Sequence, residues 1–313
     1  MRLAIVLPCY NEEEVLPSTL DRLLGLLDKW SQSGLVAADS YLLCVDDGSS
    51  DRTWQLIEQA HMRDARVKGI ALAHNRGHQN ALLAGLETVT DRCDAAVTID
   101  ADLQDDPEAI AQMLGHYADG AEIVYGVRSS RRSDSWFKRT SAQTFYKLQH
   151  AMGIKAVYNH ADYRLMSNRA IKLLSQYGES NMFLRGIIPQ IGLRTATVSY
   201  PRTERTAGTT KYPLSKMLAL SVDGITSFTA RPMRWIFNTG LVLMLIDIIV
   251  AVWALIAYFS HRSVTGWTSL ILSVWFLGSL ILMALGIVGE YIGKIYIEVK
   301  HRPRFAIRDE LFD

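Results

Sequence analysis

Asp100-Ala101-Asp102 ends an apolar, strand-like run, Ala95–Ile99. A strand leaving its sheet can aim two carboxylates at one point, where a hard divalent cation with oxygen ligands neutralises a diphosphate. Mg2+ or Mn2+ is the implied metal. Short Asp-x-Asp strings also arise as surface turns or loop caps, but Gln104 and Asp105-Asp106 make this cluster denser than a random turn.

A second acidic string, Asp46-Asp47-Gly48-Ser49-Ser50-Asp51, follows the run Tyr41–Val45 and reads as a turn into a helix. Asp51 is a candidate N-cap for Thr53–Ala60. Capping does not account for the two preceding acids, and a carboxylate there can accept hydrogen bonds from a nucleobase or ribose. A third polar string, Pro8-Cys9-Tyr10-Asn11-Glu12, follows Leu3–Leu7. The histidines, by contrast, form no metal-ligand spacing such as His-x3-His on a helix, and the polar ones near strand ends read as loop residues, so a zinc enzyme is not expected.

The elements that must position these strings are legible from their period. Leu3–Leu7, Tyr41–Val45, Val67–Leu72, Ala95–Ile99 and Ile123–Val127 are short apolar strand candidates separated by helical runs, which predicts an α/β fold with a parallel sheet. Glu13–Trp30 places Leu16, Leu20, Leu23, Leu24 and Leu27 on one helix face. Such sheets bind ligands beyond the carboxyl ends of their strands, so one crevice can collect all three polar strings.

Two later stretches differ in kind. Trp235–Phe259 and Thr268–Ile292 are each 25 residues of mainly apolar sequence, long enough to cross about 30 Å of hydrocarbon. The connector Ser260–Trp267 is short, and Arg231, Arg234, Lys294, Lys300, Arg302 and Arg304 flank the outer ends, which predicts a multi-pass protein with both termini in the cytoplasm. Pro213–Thr229 is amphipathic, either lying along the membrane surface or packed on the domain. Asp247 inside the first span marks a functional group or a helix-packing contact. Gly289-xxx-Gly293 permits close helix approach, within one chain or in a homo-oligomer. The expected domains are therefore 1–212, 213–230, 231–293 and a cytoplasmic tail, 294–313.

Composition bounds the remaining choices. The chain has 313 residues, 49% hydrophobic and 21% charged, which excludes a wholly disordered protein, and a net charge of +1 gives no electrostatic footprint for nucleic acid. Its three cysteines, Cys9, Cys44 and Cys93, have no CxxC spacing and fit reduced thiols in a cytosolic domain. Leu3–Leu7 is too short for a signal-peptide core.

Together the three polar strings resemble glycosyltransferase family 2 in order and spacing. The resemblance continues through Asn75-Arg76-Gly77-His78-Gln79, Val124-Tyr125-Gly126-Val127-Arg128, Asp162-Tyr163-Arg164-Leu165-Met166-Ser167, Arg205–Tyr212, Asp223–Phe228 and Gly289–Gly293. This longer set is similar to the polyprenyl-phosphate branch, the dolichol-phosphate mannose synthase relatives and above all the two-span bactoprenol glucosyltransferases. What it implies is a GT-A catalytic domain followed by two transmembrane helices, and inverting transfer from a nucleotide-diphosphate sugar, UDP-glucose first, to polyprenyl phosphate. By similarity, Pro8, Tyr10, Glu12, Val45, Asp47 and Ala101 hold the nucleotide sugar, and Asp100, Asp102 and Gln104 the metal. Arg128, Arg205 and Lys211 would bind phosphates, Arg139 would join Arg205 and Lys211 at the acceptor, and Asp162 with Asp102 would be catalytic. Thr209-Thr210 and Asp106 depart from the family pattern, which bears on substrate preference.

The acceptor would bring its own nucleophile, because a phosphate monoester with second pKa near about 6 is largely dianionic at neutral pH. Two other readings compete. A processive polysaccharide synthase would carry Gln-x-x-Arg-Trp where this chain has Arg231-Pro232-Met233-Arg234-Trp235. A membrane scaffold with a dead transferase domain would not need the intact Asp100 and Asp102 pair.

Overall fold

In the computed structural model, residues 1–128, 160–179, 184–201 and 266–312 are described, with isolated positions between 233 and 252. Arg139, Arg205, Lys211, the Pro213–Thr229 helix and most of the first expected span lie outside them. The chain divides into two units, one of 1–150, 155–212 and 302–313, the other of 151–154 and 213–301.

The first unit alternates strand and helix: β1 Leu3–Cys9, α1 Leu16–Gln32, β2 Tyr41–Asp46, α2 Thr53–Arg63, β3 Val67–Leu72, α3 His78–Val89, β4 Ala95–Thr98, α4 Ala109–Ala118 and β5 Ile123–Arg128. Then come β6 His160–Ser167, α5 Asn168–Leu174, the single turn α6 Leu184–Ile187 and β7 Thr195–Tyr200. After α7, Trp267–Val299, which belongs to the second unit, residues Ile307–Leu311 form β8.

Among the described residues the eight strands make one sheet, β7-β5-β6-β4-β1-β2-β3-β8. The β1–β2, β2–β3, β1–β4 and β5–β7 pairs are parallel, as the β-α alternation predicts. Two strands run the other way. β6 inserts antiparallel between β4 and β5, and β8 lies antiparallel against β3 at the edge.

β1 and β2 are buried along their whole length, as strands covered on both faces must be. α1 buries Leu16, Leu20, Leu23, Leu27 and Trp30 against the sheet, each apolar side chain contributing roughly 1.5–3 kcal/mol. Leu24, expected on the same face, is only partly buried. The helix starts at Leu16 rather than Glu13 because Pro17 occupies the first turn, where its missing N–H costs nothing. The amides of Glu12 and Glu13 are instead taken by Thr53 Oγ1 at 2.9 Å and Asp51 Oδ2 at 3.1 Å. α3 sits tightly on the sheet: a Cβ at Gly85 would lie 2.4 Å from Val6 Cγ1 and 2.9 Å from Val45 Cγ2.

In the second unit, α7 contains one stretch long and apolar enough to cross a membrane, Phe276–Val299, 24 residues with mean hydropathy 1.8 and none of it buried. At 1.5 Å per residue it extends roughly 36 Å, beyond the hydrocarbon thickness.

Candidate active site

The carboxyl ends of β1, β2 and β4 and the start of β6 open on a cleft of about 560 Å³. Pro8, Cys9, Tyr10 and Glu12 line it from the end of β1, and Asp47 from the end of β2. Asp100, Ala101 and Asp102 enter from β4, and Asp162 from β6. Asn75, Gly77, His78 and Ala81 come from the start of α3, and Arg185 from α6. The three polar strings therefore meet as their spacing predicts.

Asp47 is buried, and both its oxygens are engaged: Oδ1 accepts from the Arg76 amide at 2.7 Å and Oδ2 from the Gly77 amide at 2.8 Å. Burial pushes its carboxyl up and the two amides pull it back, leaving it above the usual carboxylate range. Its structural effect is to clamp the turn that delivers His78. Gly48 makes the clamp possible, with φ +68° and only 2.7 Å between an added Cβ and the Asn75 nitrogen. Asp51 does cap α2, its Oδ1 accepting from the Thr53 amide at 2.9 Å, while Arg52 occupies the N-cap position.

Asp100 and Asp162 both approach His78. Asp100 keeps 40% of its side chain exposed, and His78 Nε2 lies 3.6 Å from its Oδ1. Crowding and desolvation raise its carboxyl above the ordinary value; His78 opposes this and the carboxylates of Asp162, Asp105 and Asp102 reinforce it. Asp162 is 5% exposed and accepts from Arg185 Nε at 3.2 Å, Arg185 Nη2 at 2.9 Å and Gln79 Nε2 at 3.2 Å, as well as from Arg164. Burial alone would raise its carboxyl, but His78, Arg164 and Arg185 overwhelm that and hold it well below the carboxylate range. His78 lies 3.6 Å from Asp162 Oδ2 as well, and the two acids lift the imidazole above its ordinary value against the opposing effect of burial.

Asp102 accepts from the amide of Gln104 at 3.3 Å and from its side-chain nitrogen. Asp100 and Asp102 suit a hard divalent cation: both are carboxylates at the cleft, and the negative field at Asp100 is one that a cation would relieve. Among the described residues no three His, Cys, Asp or Glu groups converge to hold a metal by themselves, so other oxygens must complete such a site.

Not every expected residue lines the cleft. Val45 is fully buried, its side chain facing α3 beside Gly85. Arg128 forms a two-pronged pair with Asp105, Nε to Oδ1 at 2.8 Å and Nη2 to Oδ2 at 3.1 Å, and Tyr200 donates to the same Oδ1 at 2.8 Å. His78, Gln79, Arg164 and Arg185 also belong to the site, and the first three fall inside the strings 75–79 and 162–167 that resemble the family.

Residues 4–175 match the family model for glycosyl transferase family 2. The chain belongs to glycosyltransferase family 2. The family relatives extend beyond the matched segment. The Bacillus subtilis (strain 168) protein YkoT, described as an uncharacterized glycosyltransferase, is 50% identical over 311 residues, covering 99% of this chain and 92% of its own. A bactoprenol glucosyl transferase of Shigella phage SfV is 35% identical over 312 residues, covering 99% of both chains. Among solved structures, mannosyl-3-phosphoglycerate synthase from Rubrobacter xylanophilus aligns with a TM-score of 0.52 at 17% identity, covering 75% of this chain and 74% of that one. That likeness concerns the fold, a GT-A-like α/β domain with a mostly parallel sheet, and the family membership makes the chain a glycosyltransferase.

Proposed function

We propose that the chain transfers a hexose, glucose first, from a UDP-sugar to polyprenyl phosphate at the cytoplasmic face of a membrane. The observation that carries this reading is the 35% identity to a bactoprenol glucosyl transferase over 99% of both chains, the C-terminal apolar part included. The cleft supports it: Tyr10, 48% exposed at the rim, offers an aromatic face to a base, and Asp100 and Asp102 face the place where a diphosphate would need charge compensation. Domain limits at 212, 230 and 293, two spans with both termini cytoplasmic, and phosphate contacts by Arg139, Arg205 and Lys211 belong to the same proposal; Arg128 would join them only by leaving Asp105.

The chain's own residues divide the work. When bound at Asp100 and Asp102, with Gln104 beside them, a divalent cation such as Mg2+ or Mn2+ supplies charge to offset the departing nucleoside diphosphate. The lipid phosphate, largely dianionic at neutral pH, attacks the anomeric carbon opposite the leaving group, so configuration inverts. Asp162 is a poor proton acceptor, because its paired carboxylate has its proton affinity suppressed. Its contribution to catalysis is to fix Arg185 and His78 around the reacting groups, where orientation lowers the barrier.

The test is a screen of radiolabelled UDP- and GDP-sugars with undecaprenyl phosphate and membranes containing the protein. Label from UDP-glucose moving into the organic phase is the expected result. Label appearing only in a water-soluble acceptor would overturn the lipid reading. A reporter after Asp313 should be cytoplasmic and a tag within Ser260–Trp267 outside.

A further inference from the structure

The cleft is charged in an unusual way for a site that must admit phosphorylated substrates. Glu12, Asp47, Asp100, Asp102 and Asp162 all line it. Among the described lining residues Arg185 is the only arginine or lysine.

Arg185 is also held from two sides. Asp162 engages Nε at 3.2 Å and Nη2 at 2.9 Å, a forked contact that fixes the guanidinium plane. Gln79 donates to Asp162 Oδ2 at 3.2 Å and accepts from the Leu184 amide at 3.1 Å, tying the turn that carries Arg185 to the acid that aims it. The pairing is lopsided in exposure. Arg164, 1% exposed, meets Asp162 from the buried side, while the Arg185 side chain, on the side of the cleft, is 41% exposed. The buried carboxylate has two arginine partners, and the second faces the cleft.

We infer that Arg185 is a phosphate-binding residue, aimed by Asp162 so that its guanidinium takes a phosphoryl oxygen of one of the two substrates. Rigid forked geometry and permanent charge suit this task better than a lysine would. The inference rests on the reading of the chain as a transferase of phosphorylated substrates. The oxygen belongs either to the donor diphosphate or to the acceptor phosphate; the chemistry is shared.

The experiment measures binding directly, by calorimetry on the full chain in nanodiscs, with UDP plus Mg2+ as one probe and geranyl phosphate as the other. Arg185→Gln is expected to weaken one probe about tenfold to a hundredfold, the loss of one or two charge-assisted hydrogen bonds. Arg185→Lys should recover part of that loss. A weakened UDP assigns the contact to the donor, and a weakened geranyl phosphate assigns it to the acceptor. Arg52→Gln, an exposed arginine paired with Glu13 outside the cleft, should leave both unchanged. If Arg185→Gln does not fold, Arg185→Lys carries the comparison, with a threefold or larger loss expected. Both affinities within twofold of the unsubstituted protein overturn the inference, whether or not thermal stability falls. Lipid glycosylation is measured in parallel on the unsubstituted protein; its absence beside Arg185-dependent binding would sink the proposed acceptor and leave the phosphate contact standing.

Discussion

The end of β4 and the start of β6 are neighbours in the sheet, Thr98 pairing with Arg164, yet they treat the same chemical group in opposite ways. Asp100 is open to the cleft among other acids, and its carboxyl is pushed up. Asp162 is buried between two arginines, a glutamine and a histidine, and its carboxyl is pushed well down. The first region gathers negative charge that His78 only partly offsets, which would suit a cation brought in with the substrate. The second is already compensated and serves as a fixed anchor for groups around it. A carboxylate's role in this cleft follows from its neighbours, not from its identity.

Breaking the anchor should have the largest effect on the fold. Asp162→Asn leaves Arg164 buried beside a neutral amide, and losing one partner of a buried pair costs about 3–5 kcal/mol. Urea unfolding would read this as a lower midpoint at unchanged slope. Asp100→Asn should leave stability unchanged or raise it, because a repelled charge is removed. The sign with pH follows. Asp162 has a depressed folded value, so its stabilisation is present above the unfolded value of about 3.9 and is lost as pH falls below it. Asp100 has a raised folded value, so its charged form destabilises near neutrality and that penalty fades on acidification. The stability gap between the unsubstituted protein and Asp162→Asn should therefore close as pH drops below about 4.

On activity the order reverses toward the open region. Asp100→Ala and Asp102→Ala are expected to lower transfer by on the order of 10²–10³-fold while the protein stays folded, and EDTA should do the same. Undiminished turnover in buffer verified to be metal-free would remove the charge-compensation role. Gly85→Ala tests what the two regions share, since α3 carries His78 and Gln79 to both. Its Cβ would meet Val6 at 2.4 Å, costing about 1–3 kcal/mol in thermal or urea unfolding. Asp51→Ala touches neither region and should cost about 1 kcal/mol through the lost cap on α2, with little change in KM.

The open region was the legible one. Its acids end parallel strands whose apolar runs announce themselves, and the strand candidates at 41–45, 67–72 and 123–127 lie within one residue of the elements that form. The anchor was not legible as an arrangement. β6 carries Asp162 and Arg164 inside a buried strand, where an apolar pattern would be expected, and the pairing that makes this tolerable depends on Arg185 and Gln79, 23 and 83 residues away. His78 stood in a noted string, but its place between Asp100 and Asp162 exists only once β4 and β6 are side by side. β8 resembles a tail in sequence because Ile307-Arg308-Asp309-Glu310-Leu311 is a largely exposed edge strand with three charged residues at its centre. Lys68 and Arg92 over the Phe312 ring, at 4.9 and 4.2 Å, help seat it, and a cation-π contact leaves no signature in local sequence.

Mn2+ binding in the presence of UDP, followed by electron paramagnetic resonance, tests the division between the two regions most directly. Asp100→Ala and Asp102→Ala should abolish the bound signal, whereas Asp162→Asn, assayed under conditions where it remains folded, should retain it at close to the affinity of the unsubstituted protein. Mn2+ bound undiminished in the Asp100→Ala, Asp102→Ala double variant and lost in folded Asp162→Asn would contradict the account, because the buried, arginine-paired acid would then be the cation's ligand and the open pair would not.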